Sequence, residues 1–143
     1  MPAMIARLAA ALMLSIALPA LAAEPTTCAA PADLSATPYA AWTASDGDAA
    51  APGVGTPATL VMTDGTASLS LRIAQAGKYG VAADGKVWID LVADGKPLTS
   101  VDHGHGPDCS GIRKVVWFDL AAGDYELALT KAETVRLLVV KAP

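Results

Sequence analysis

Both histidines of the chain, His103 and His105, stand one residue apart in the segment Asp-His-Gly-His-Gly-Pro-Asp-Cys-Ser-Gly-Ile-Arg-Lys, residues 102–114. Imidazoles at i and i+2 share a side when the backbone is extended, so the pair is suited to hold zinc, copper or iron, with Asp102 or Asp108 completing the shell. The plainer alternative is a Gly- and Pro-rich loop in which the histidines only cap turns.

Cys109 lies in the same segment, and Cys28 is the other cysteine of the chain. In an exported protein such a pair reads as one disulfide, which would fasten the start of the chain to the loop. The competing assignment is a free Cys109 that serves as metal ligand or nucleophile beside the histidines.

The three tryptophans, Trp42, Trp88 and Trp117, offer a different chemistry, an aromatic platform for a sugar. Trp88 and Trp117 each sit out of phase with the main apolar residues of their segments, so their rings are candidates for a platform on which a sugar stacks; the alternative is that they pack a second face. Ser110 lacks the Gly-x-Ser-x-Gly surroundings of a nucleophile elbow. Asp84, Asp90 and Asp94 are candidate paired carboxylates, but Asp84 and Asp94 also begin Asp-Gly pairs that hairpin turns account for. Arg113 and Lys114 are a candidate anion site or simply a solvated strand entrance.

The elements that must position these groups are strands. Leu69, Leu71 and Ile73 alternate with Ser68, Ser70 and Arg72, and period two with one apolar side is the mark of a half-buried strand. Val87, Ile89 and Leu91 repeat it, as do Val116, Phe118 and Leu120, then Tyr125, Leu127 and Leu129, then Val135, Leu137 and Val139. Turn signals at Asp64-Gly65, Ala76-Gly77-Lys78, Asp84-Gly85, Asp94-Gly95 and Gly123-Asp124 separate them. The expected fold is all-β: an antiparallel sandwich, jelly-roll or Ig-like, of about seven or eight strands over residues 59–143.

An internal echo supports this. The runs Ala76-Gly77-Lys78-Tyr79 and Ala122-Gly123-Asp124-Tyr125 each follow a strand end and open a new strand. In outline they resemble the Ala-Gly-x-Tyr corner of jelly-roll and other secreted sandwich modules, among them carbohydrate-binding ones and ones appended to exported peptidases.

Upstream, the chain changes character. Of its 31 alanines, 20 precede Thr59. Residues 1–22 read as a secretory signal peptide: one early positive charge, an apolar run over 8–21, and Ala20-Leu21-Ala22 before the expected cut. That run is short for a membrane span, so no span is expected after cleavage. Residues 23–58 form an irregular Pro/Ala-rich arm, with Leu34, Tyr39 and Trp42 as apolar anchors able to fasten it across the domain and a short helix near 32–36 or 39–43. The chain carries 14 acidic against 10 basic side chains, a net −4 that does not favour nucleic acid or an anionic membrane surface.

The block His-Gly-His-Gly-Pro-Asp-Cys-Ser-Gly-Ile-Arg-Lys, residues 103–114, together with Trp88-Ile89-Asp90 and Asp94-Gly95-Lys96, also resembles a group of small exported bacterial proteins, some of which carry the label homogentisate 1,2-dioxygenase. The similarity spans roughly 77–129. That enzyme family is several times longer and holds non-haem iron with two histidines and a glutamate on a cupin barrel. Its resemblance implies iron at His103 and His105. Where the family has Glu this chain has Cys109 or Ser110, so Asp102 or Asp108 would have to supply the carboxylate.

The expected protein is periplasmic or secreted: a disulfide-closed, non-catalytic binding or envelope accessory domain, its ligand unidentified and a glycan among the candidates. The alternative is a metal-dependent oxidoreductase-like protein centred on His103 and His105.

Overall fold

The computed structural model describes residues 27–143, so the leader expected over 1–22 and the first arm residues lie outside the described residues. Among the described residues, nine strands follow one 3₁₀ turn at Ala40–Thr43: β1 (Ala58–Val61), β2 (Thr66–Ile73), β3 (Gly77–Ala83), β4 (Trp88–Ala93), β5 (Lys96–Pro97), β6 (Asp102–Gly104), β7 (Lys114–Leu120), β8 (Gly123–Thr130) and β9 (Thr134–Lys141). They form two antiparallel sheets, one ordered β1-β9-β3-β7-β6 and the other β2-β8-β4-β5. The fold is thus the expected antiparallel β-sandwich. The strands beyond the expected count come from edge pieces such as β5 and β6, too short to show alternation. Among the described residues no helix is long and apolar enough to cross a membrane.

The alternating residues make the core between the sheets. Leu69, Leu71, Ile73, Ile89, Leu91, Leu127 and Leu129 from one sheet meet Val81, Val116, Phe118, Leu120, Val135, Leu137 and Val139 from the other. Burying each such side chain is worth about 1.5–3 kcal/mol against an exposed reference, which offsets the ordering of the chain.

The two Ala-Gly-x-Tyr runs are two of the points where the chain changes sheet. At the β2–β3 corner the Tyr79 hydroxyl donates to the Gln75 carbonyl at 2.7 Å, and at the β7–β8 corner the Tyr125 hydroxyl donates to the Ala121 carbonyl at 2.8 Å. Each phenol thus satisfies a carbonyl four residues back that leaving the ladder would strand.

The turn expectations separate. Asp94-Gly95 joins β4 to β5 with both residues at positive φ, and Asp64-Gly65 does the same between the bridged residues Thr63 and Thr66, as a type I′ turn requires. Asp84-Gly85 is not a hairpin: it carries the chain from β3 in one sheet to β4 in the other, and the Asp84 carboxylate accepts the backbone N–H of Arg136 at 2.9 Å.

The sheet containing β9 is buried on both sides. Ala82, Val115, Leu138 and Val140 point away from the central core and meet Leu34 and Trp42 of the arm, with Ile112 of the 105–113 loop. Arg136 latches that arm: Nε and Nη2 donate to the Trp42 carbonyl at 3.1 and 2.8 Å, Nη2 also reaches the Ala44 carbonyl, and Nη1 reaches Asp46 and Thr59. The guanidinium carbon lies 5.6 Å from the Trp42 ring centroid. The Asp46 carboxyl is held below its ordinary value by the Thr59 hydroxyl first; burial opposes this, and the Arg136 guanidinium adds further lowering. At the arm's start, Cys28 and Cys109 form a disulfide with Cα atoms 5.6 Å apart and a sequence separation of 81. The Ala32 N–H donates to the Cys109 carbonyl beside it.

Candidate functional site

The sheets are open along one side, where β6 and β7 end one sheet and β4 and β5 end the other. A cleft lies there in two adjoining chambers. The larger, about 440 Å³, is walled by Trp88 and Val87 on one side and by His103 and His105 on the other. The smaller, about 250 Å³, shares Trp88, His103 and Lys114 and reaches inward to Ile89, Leu98 and Phe118.

Register explains why these side chains converge. His103 pairs with Val116, whose side chain points to the central core, so the imidazole is directed to the mouth between the sheets. Trp88 begins β4 opposite Thr130, next to the turn that holds Lys131. Its indole N–H donates to Asp90 Oδ2 at 3.0 Å, which fixes the ring while 53% of the residue stays exposed. Lys114 Nζ and Lys131 Nζ each lie 5.3 Å from that ring's centroid, and Lys114 also donates to the Val87 carbonyl at 2.9 Å.

The 105–113 loop is tied at several points. The Gly106 N–H donates to the Ile112 carbonyl at 3.1 Å, and the Ile112 N–H donates to Ser110 Oγ at 3.1 Å. A Cβ on Gly106 would meet the Ile112 side chain at 2.4 Å, so this close approach admits glycine alone. Arg113 N–H joins the loop to the Ala83 carbonyl at 2.9 Å. His105 Nδ1 lies 2.8 Å from the Arg113 carbonyl. A carbonyl only accepts, so Nδ1 carries the proton and Nε2 is the free nitrogen.

The sequence candidates divide accordingly. His103 and His105 share one cavity, as their spacing implies. Asp102 and Asp108 do not join them there: Asp102 Oδ1 accepts the His103 backbone N–H at 2.8 Å, while Asp108 lines a separate hollow on the far side of His105. Cys109 is spent in the disulfide, so it is neither the free ligand nor the nucleophile of the competing assignment. Among the described residues no three His, Cys, Asp or Glu side chains converge as a metal set. Two histidines with a nearby carboxylate, the set that non-haem iron would need, are therefore not assembled by these residues.

Trp88 and Trp117 do not form one platform. Trp117 points to the outer side of its sheet, where it packs with the arm cluster and lies flat on Gly80, its cross-strand partner. A Cβ on Gly80 would come within 2.8 Å of the indole, so the glycine makes room for the ring. Ser110 serves the loop's own turn. Asp84, Asp90 and Asp94 go to Arg136, to Trp88 and to a hairpin, and do not pair. Lys86 and Lys131, which also line the larger chamber, carry no motif in the sequence. Only the pairing of Trp88 with Thr130 shows that they belong beside Lys114.

Fold and cleft together define a disulfide-closed antiparallel β-sandwich with a tryptophan-bearing groove at its open edge. No family model matches the chain, and no curated protein matches it. Among solved structures it is similar to the pre-peptidase C-terminal domain of a collagenase from Bacillus anthracis, with a TM-score of 0.48 and 18% identity over 64% of this chain and 94% of that one. It is also similar to part of a β-glucosidase from Paenibacillus barengoltzii, with a TM-score of 0.32 and 20% identity over 62% of this chain and 11% of that one.

Proposed function

We propose that the chain is an exported, non-catalytic binding domain of the cell envelope or its surroundings, which takes its ligand in the cleft beside Trp88. The observation that carries this is the half-exposed indole of Trp88, held rigid by Asp90 at the mouth of a cavity between two open sheet edges. An apolar ring fixed in place and left open to solvent is a recognition surface for a sugar or another flat ligand, and a fixed ring loses little entropy on binding. The disulfide supports an oxidising compartment, periplasmic or extracellular. The groups around the ring are donors and cations, arranged to hold a ligand.

The test is intrinsic tryptophan fluorescence of the whole chain titrated with a panel of neutral and acidic polysaccharides. A saturable change that disappears in Trp88→Ala supports the reading. A flat titration across the panel, or a change that survives in Trp88→Ala, overturns it.

A second reading keeps the resemblance of the 77–129 region to the exported proteins labelled as dioxygenases, and treats the histidine pair as a metal site. The orientation of His105 favours it, because ligating histidines commonly donate the far ring N–H to a backbone carbonyl. Elemental analysis of protein made in an oxidising compartment tests it. Stoichiometric metal that is lost in His103→Ala/His105→Ala supports a metal site, and metal-free protein overturns it.

A further inference from the structure

The larger chamber has a charge out of keeping with the rest of the molecule. The chain is acidic, with 14 carboxylates against 10 Lys and Arg. Yet four of those bases, Lys86, Arg113, Lys114 and Lys131, line this one chamber together with both histidines, and no acid does. The ion pairs among the described residues lie elsewhere, at Arg72–Asp124 and Arg136–Asp46, so none of the four is paired with a carboxylate. Asp90 lines the adjoining smaller chamber, where it already accepts the Trp88 N–H. Cations gathered without counter-charges repel one another, and an anion bound among them relieves that repulsion.

We infer that the cleft takes an acidic saccharide, its carboxylate or sulfate among Lys86, Lys114 and Lys131 and its ring against Trp88. This rests on the reading of the cleft as the binding site. A simple inorganic anion would use the cations and leave the indole idle. A neutral sugar would use the indole and leave the cations uncompensated. A charged pyranose uses both, because Lys114 and Lys131 stand 5.3 Å from the same ring that would stack on its C–H face. The two chambers share Trp88 and Lys114, which gives a chain of such sugars room for more than one residue.

The experiment titrates the full chain with polygalacturonate, a sulfated glycosaminoglycan, monomeric galacturonate, neutral galactan and inorganic sulfate, at low salt and at about 0.5 M salt, where screening reaches only a few ångströms. The expected result is at least tenfold tighter binding of the acidic polymers than of galactan, most of it lost at high salt. Lys86→Gln/Lys131→Gln, at two exposed positions, is expected to remove about tenfold for the acidic polymers and much less for galactan, while Trp88→Ala weakens both to a similar degree. Tighter binding of the uronate polymer or of the sulfated one identifies which oxyanion the site prefers. Equal binding of galactan and polygalacturonate, indifferent to salt and to the lysine variant, overturns the acidic ligand and leaves the cleft as a neutral sugar site. Sulfate that competes at the same molar concentration as galacturonate overturns the saccharide and leaves an anion site. No binding of any glycan overturns the cleft itself as a glycan site.

Discussion

Trp42 and Trp88 both sit beside cations, and their surroundings differ in burial and in charge compensation. Over Trp42 stands Arg136, each of whose side-chain nitrogens donates to a carbonyl, a hydroxyl or a carboxylate of the arm or β1, and the indole is only 6% exposed. Over Trp88 stand Lys114 and Lys131 with no carboxylate partner, and the indole is 53% exposed. The first assembly is satisfied by its own chain and has nothing left to offer a ligand. The second is left electrically incomplete and open, a condition that costs stability unless something else completes it. Burial and charge compensation, more than the shared cation–aromatic geometry, separate the structural anchor at Trp42 from the proposed recognition site at Trp88.

The contrast breaks first at the rings. Trp42→Ala is expected to cost about 4 kcal/mol, since it empties the cluster between the arm and the β9 sheet, whereas Trp88→Ala is expected to shift stability by no more than about 0.5 kcal/mol. Thermal unfolding of the two variants checks this, and equal losses would erase the distinction. Removing the arm's other tether, with Cys28→Ser/Cys109→Ser, is expected to cost roughly 4 kcal/mol from the freedom returned to an unfolded chain with an 81-residue separation. Urea unfolding with and without reductant measures it.

The smallest effect is the most specific. The Asp46 carboxyl has its folded value below the usual 3.8, so the stability it adds is present in full above that value and is lost as pH falls through the lower, folded one. Asp46→Asn is therefore expected to melt below the wild type at neutral pH, and the gap is expected to close as the pH is lowered beyond 3.8. A gap that stays constant in acid would mean that Arg136 does not depend on this carboxylate.

Much of the fold was legible from local pattern. Leu69, Leu71 and Ile73, or Val116, Phe118 and Leu120, show their buried side through period two alone, because a strand exposes its two faces by turns. The Ala-Gly-x-Tyr echo marked two sheet corners, and both histidines line one cavity. Other features left no local trace. Leu138 and Val140 read as outward residues of β9 until the arm covers them. Asp84-Gly85 has the composition of a hairpin and serves as a crossing, because its carboxylate meets a backbone N–H 52 residues away.

The candidate site was half legible. Its histidines and Trp88 stood out by type and spacing; Lys86 and Lys131 did not, since lysines at strand ends are common and carry no pattern of their own. Net charge spoke only against nucleic acid and an anionic membrane surface, because a sum over the chain says nothing of where the charges gather.

By itself the sequence determined an alternating, corner-linked β-sandwich with a cysteine pair and a histidine-bearing loop, since side-chain period and turn chemistry act over a few residues. The tertiary structure alone decided that the arm seals one face through Arg136 and Trp42, and that Asp102 and Asp108 stand away from the histidines. It also decided that four bases from separate stretches of chain, 86, 113–114 and 131, line one chamber with the Trp88 indole. Those outcomes depend on which strands pair and in what register, and pairing brings together residues that sequence keeps far apart.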